Sequence, residues 1–164
     1  MLCKWYNIET YDGVKKVQGL GEKITAEMLN RYGYNWDRPK SIKTPYGNYT
    51  PDFFVPNISG GYEFFIEVKG MRTALKMVGL LSLLENGKTK WAGTLDENSY
   101  LKMKWVHENV HPILIYINDN DNDHKYKDWK DDLYSKLKDF KVIYGKENMR
   151  LTIRNGWFKK QEDE

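Results

Sequence analysis

The stretch YTPDFFVPNISGGYEFFIEVKG (residues 49–70) places charges inside two apolar runs. Asp52 interrupts the first run, and Glu67 with Lys69 interrupts the second. The turn formers PNISGG separate them, so residues 49–55 and 62–69 predict the two strands of a hairpin. Side chains alternate faces along a strand. Phe65, Glu67 and Lys69 therefore share one face of the second strand, and Phe64, Ile66 and Val68 form a core-like opposite face. On the first strand Asp52 shares a face with Phe54, against Phe53 and Val55. If Val55 pairs with Phe64, Asp52 falls opposite Glu67, with Cβ atoms about 5 Å apart. A one-residue slip would undo this, and the length of PNISGG sets the register.

Two facing carboxylates repel, and a dry environment raises their pKa. A hard divalent cation offsets that repulsion, and Mg²⁺ favours one or two carboxylates together with waters and phosphate oxygens. Such an ion would polarise a phosphodiester. Lys69, on the same face, is placed to orient or deprotonate an attacking water, or to neutralise transition-state charge. The competing reading is an exposed hairpin face with an ordinary Glu–Lys pattern.

Working outward, residues 20–33 predict a helix, with Ile24, Met28, Leu29 and Tyr32 at helical spacing and Gly33 beyond its end. Glu22 precedes Leu29 by about two turns, so it points inward with the apolar face, whereas Glu27 points to solvent. An inward glutamate is costly unless it meets a cation or donors. Residues 37–44 predict a short strand. Thr73 is read as the cap of a helix over about 74–86, apolar nearly all round and therefore buried or in a subunit interface. A second helix is expected over 96–108. Ile113 to Ile117 run without alternation, as a buried strand does. Residues 127–139 predict an amphipathic helix and KVIYG a last strand. This order implies an α/β fold, a central mixed sheet flanked by helices. One domain is expected over residues 1–164, with a core at about 19–118 and a C-terminal helix and strand at about 125–155.

The 164 residues suffice for a sizeable core, and 40% hydrophobic against 30% charged residues is the balance of a globular chain. No apolar run reaches the ~18 residues of a membrane span. The opening MLCKWYNIETYDG lacks the apolar block of a signal peptide. Cys3 is the only cysteine, which excludes a disulfide framework and suits a reducing, cytoplasmic setting. A net charge of +3 permits nucleic-acid binding without demanding it.

Three motif matches fail on context. HENVH (residues 107–111) fits the zinc-protease pattern, but Pro112 pushes His111 out of the helix that both histidines would need. DNDNDH (residues 119–124) starts like a calcium loop, yet the sixth and twelfth loop positions hold His124 and Lys130 instead of Gly and Glu. GLGEK, near residue 20, lacks the spacing and the preceding strand of a phosphate loop.

Pro51-Asp52 followed by Glu67-Val68-Lys69 resembles the PD-(D/E)XK nuclease signature. YTPDF at 49–53, EVKG at 67–70 and GLGEKITAEMLNRYG at 19–33 are similar to the phage endonuclease I family of Holliday-junction resolvases. The resemblance covers roughly residues 19–70 and departs from the family in a longer connection between the strands. It implies a restriction-endonuclease-like core in which Asp52, Glu67, the Val68 carbonyl and Glu22 hold Mg²⁺ or Mn²⁺ and Lys69 is the catalytic lysine. It further implies a homodimer that cleaves branched DNA, phage-encoded and acting in the cytoplasm of a bacterial host. Small homing endonucleases share that catalytic core, so sequence-specific duplex cleavage is the alternative. RNA is a third substrate class, and a non-catalytic nucleic-acid-binding module a remoter reading. Arg72 and Lys76 follow the motif where they would touch backbone phosphates.

Overall fold

The computed structural model describes residues 4–56, 61–80, 96–119 and 126–156. It is an α/β structure built on a four-stranded mixed sheet. The strands are β5 (Phe53–Val55), β6 (Phe64–Gly70), β7 (Ile113–Asn118) and β8 (Lys141–Tyr144), in that spatial order. β5 runs antiparallel to β6, while β6, β7 and β8 run parallel. Two small antiparallel hairpins stand outside this sheet: β1 (Trp5–Thr10) with β2 (Gly13–Gln18), and β3 (Ile42–Thr44) with β4 (Gly47–Tyr49). The helices are α1 (Leu20–Arg31), α2 (Met71–Met77), α3 (Asp96–Asn109), α4 (Lys130–Lys136) and α5 (Lys146–Asn155). Among the described residues no helix is long and apolar enough to cross a membrane.

Both faces of the sheet are covered. On one side Ile66, Leu114 and Tyr116 meet Ala26, Met28 and Leu29 of α1 and Met149 and Ile153 of α5. On the other, Phe65, Ile113, Ile115 and Ile117 meet Ala74 and Leu75 of α2 and Met103 and Val106 of α3. The unbroken apolar run of β7 follows from this double covering. The Glu67 face of β6, which alternation marks as the polar one, is likewise interior: Phe65 is buried and Glu67 is only 7% exposed. An acid in that layer requires polar partners nearby.

Several expected boundaries change: the strand expected over 37–44 is only Ile42–Thr44, the one expected over 49–55 is divided between β4 and β5, and the helix expected over 127–139 is Lys130–Lys136. The helix after the motif begins at Met71, directly beyond Gly70, so Thr73 lies within its first turn and caps nothing. It ends at Met77, because Gly79 takes a left-handed conformation (φ 79°) that breaks the helical path. The expected continuation over 81–86 falls outside the described residues, as does most of DNDNDH. Three features were not anticipated: the β1–β2 hairpin, the pairing of β3 with a separate β4, and α5. Helix α5 is capped from a distance, as the Asp119 carboxylate accepts the Lys146 N–H at 2.9 Å.

The two histidines of HENVH part company. His107, in the last turn of α3, accepts the Ile113 N–H on Nδ1 at 2.9 Å and packs beside Phe140. His111 lies past the helix, pairs with Glu63 at 3.3 Å and stacks on Phe54. They therefore serve different neighbours and do not form a shared metal site. Burial lowers the His107 pKa below the ordinary 6.5, against a weaker upward pull from Glu108 and Asp139. The unfolded chain thus takes up this proton first as the pH falls, so the His107 contribution is complete above about pH 6.5 and shrinks below it. His107→Gln should flatten part of the acid loss of stability between roughly pH 7 and 5, read from urea midpoints at a series of pH values.

Helix α1 approaches the sheet closely. A Cβ on Gly21 would lie 2.9 Å from Cγ1 of Val68 and 3.3 Å from Cβ of Asn118. Alanine favours a helix over glycine by about 1 kcal/mol. Here the overlap should win, at about 1–3 kcal/mol. Gly21→Ala should therefore lower the urea midpoint, and an unchanged or higher midpoint would show that α1 is not seated this tightly.

Candidate metal centre

Sheet register brings the predicted acids together. Phe53 pairs with Ile66 and Val55 with Phe64, so continuing the ladder sets Asp52 opposite Glu67, as the alternation implies. β5 begins one residue after Asp52, and the Asp52 side chain takes over where the ladder stops: its Oδ2 accepts the Val68 N–H at 2.7 Å. Oδ1 has no hydrogen-bond partner among the described residues.

Glu67 is held on both oxygens. The buried Tyr49, at the end of β4, donates its hydroxyl to Oε2 at 2.7 Å. Lys69, two residues along the same strand face, approaches Oε1 at 3.3 Å. Burial, the charge of Glu67 and the shared hydrogen bond push the Tyr49 hydroxyl well above its usual pKa, so it remains a donor. Burial also pushes Asp52 well above the usual carboxylate range, reinforced by the charges of Glu67 and then Glu22. The Val68 N–H and Lys69 pull it back only in part.

Glu22 turns inward from the first turn of α1, with its side chain 14% exposed, while Glu27 faces solvent beside Lys23. Glu22 meets a cation, but a protein one. Its Oε1 takes the Arg38 guanidinium and the Gln18 N–H, the latter at 3.1 Å. Arg38 Nη1 also donates to the Asp52 carbonyl at 3.0 Å. Arg72 and Lys76 lie on the exposed side of α2.

The chain matches no protein-family model, no curated protein and no solved structure. The chemistry of the site therefore rests on its own geometry. Among the described residues no three of His, Cys, Asp and Glu converge closely enough to hold a metal ion. What converges is a pair, Asp52 and Glu67, with Glu22 near enough to raise the Asp52 pKa yet engaged by Arg38. A pair suits Mg²⁺ or Mn²⁺, which bind through one or two carboxylates and keep other positions for water and substrate oxygens. The unpartnered Oδ1 and the weakened acidity of Asp52 are the features that a cation at this point would resolve.

Two residues escaped the reading of the sequence. Tyr49 opens the quoted motif, but nothing in strand alternation says that its hydroxyl reaches Glu67 from a separate hairpin. Arg38 carries one local signal, Pro39, which biases it toward extended backbone; its contact with Glu22 depends on tertiary packing.

Proposed function

We propose that this chain is a divalent-metal-dependent endonuclease with a PD-(D/E)XK-type core, acting on branched DNA. The observation that carries the proposal is the pairing of Asp52 with Glu67 at a strand end, with Lys69 on Glu67 and Val68 beneath Asp52. An α/β fold with a mixed sheet between helices is the architecture that the resemblance implies. Asp52 and Glu67 would hold Mg²⁺ or Mn²⁺, with the Val68 carbonyl beside them. A bound ion supplies Lewis-acid polarisation of a phosphodiester and charge stabilisation of the departing oxygen.

The remaining work belongs to the chain. Val68 fixes Asp52 through Oδ2 and leaves Oδ1 available. Tyr49 holds Oε2 of Glu67 through its hydroxyl. Lys69 sits at the edge of the pair with an ammonium that can orient an attacking water or offset charge on a pentavalent phosphate. The buried surroundings strengthen each of these electrostatic contacts. Two chains acting together, as the resemblance implies, would let each centre cut one strand.

The test is incubation of the full chain with Mg²⁺ and a panel of four-way junctions, linear duplex, single-stranded DNA and RNA, with mapping of the cuts. Chelator-sensitive cleavage centred on the junction is the expected result. Cutting of one linear site only would identify a homing activity, cutting of RNA alone an RNA nuclease. No cleavage of any substrate would remove the proposal.

A further inference from the structure

We infer that Arg38 is a positioning residue that seats a backbone phosphate of the nucleic acid beside the carboxylate pair. This rests on the nuclease reading and assigns the anchoring contact within that same site.

Arg38 stands on a braced segment. Asp37 exchanges both backbone hydrogen bonds with Phe54, at 2.9 and 2.8 Å, so the chain at residue 37 is pinned to the edge of β5. Lys15 holds the same segment from the other side, by a 2.9 Å ion pair with Asp37 and a hydrogen bond to the Trp36 carbonyl. Trp36 is itself buried, edge-on to Phe53, with its indole N–H on Asn30. The guanidinium is thus delivered from a fixed base, and it lies over the Phe53 ring at 5.9 Å.

Its bonds use one corner only. Nη1 serves Glu22 and the Asp52 carbonyl, whereas Nε and Nη2 have no partner among the described residues. The side chain is 34% exposed, so Arg38 is within reach of a ligand from solvent. A guanidinium edge presents two parallel N–H donors, the geometry that a phosphate accepts in bidentate fashion. The local balance favours such a contact. Glu22, Asp52 and Glu67 bring three carboxylates, and a phosphodiester arriving here needs a cation that is not already committed to Glu67, as Lys69 is.

The test measures binding without cleavage. Fluorescein-labelled four-way junction and linear duplex are titrated in EDTA at several salt concentrations with wild type, Arg38→Gln and Arg38→Lys. Arg38→Gln should bind about tenfold or more weakly and lower the slope of log affinity against log salt by about one. Arg38→Lys should keep the wild-type slope, since the charge remains, but bind more weakly than wild type because the fork is lost. Wild-type affinity and slope in Arg38→Gln would overturn the inference while leaving the nuclease reading intact. If Arg38→Gln fails to fold, Arg38→Lys decides: wild-type affinity overturns the phosphate contact. A wild-type chain that binds neither probe in EDTA, nor with Ca²⁺ in its place, removes the nuclease reading and this inference with it.

Discussion

Asp52→Asn should abolish Mg²⁺-dependent cleavage, with a loss of about a thousandfold or more, and at the same time raise the stability of the metal-free protein. The two effects share one cause. Asp52 is half-buried beside Glu67 and Glu22, and desolvation, reinforced by their charges, holds its pKa well above that of a free carboxylate. A raised pKa means that the folded chain binds the proton more tightly than the unfolded one. The stabilisation this gives is complete below the unfolded value of 3.8 and is lost as the pH rises through the folded value. Near neutrality, where the unfolded aspartate is ionised, Asp52 is thus a burden on the fold, which asparagine removes. The amide oxygen can still accept the Val68 N–H, so the strand end is preserved. Asparagine cannot supply the anionic ligand that Mg²⁺ prefers, so cleavage is lost. Urea melts in EDTA should show a higher midpoint for the variant at pH 7 and convergence with wild type near pH 4. An equal or lower midpoint at pH 7 would show that Asp52 is not under electrostatic load.

Lys69→Met should lower turnover by about a hundred- to a thousandfold with little change in metal affinity. Removal of one preorganised electrostatic donor typically costs this much. Methionine keeps most of the aliphatic length, so the packing of β6 should hold. Lys69 touches Oε1 of Glu67 and exerts a lowering pull on Asp52, so its loss removes a positive charge that competes with a metal ion for the pair. Metal binding should then be equal or slightly tighter while single-turnover cleavage slows. The reverse pattern, normal turnover with weakened metal binding, would assign Lys69 to the ligand shell.

The strands around the motif were legible because apolar alternation and turn chemistry agreed there. Val55 opposite Phe64 was one register among those the connection allowed, and the observed ladder has it. β7 announced itself by five consecutive apolar residues. The β1–β2 hairpin did not, since only Ile8 and Val17 are buried along it and its lysines and glutamate mask the period. Its Asp12-Gly13 step was the available signal. Helix α5 was hidden for a similar reason: Met149 and Ile153 are its only buried residues. Asp52, Glu67 and Lys69 share a face that two-residue periodicity reveals. The pairing of Glu22 with Arg38 and of Glu67 with Tyr49 joins segments far apart in the chain, which periodicity does not encode.

The claim that Asp52 and Glu67 form a metal centre is tested most directly by calorimetric titration of Mn²⁺ into wild type and Asp52→Asn, each with an uncleavable phosphorothioate junction present. The account predicts a saturable binding heat in wild type that disappears in Asp52→Asn, while both proteins hold the junction. The same isotherm in both proteins, or none in wild type, would contradict it.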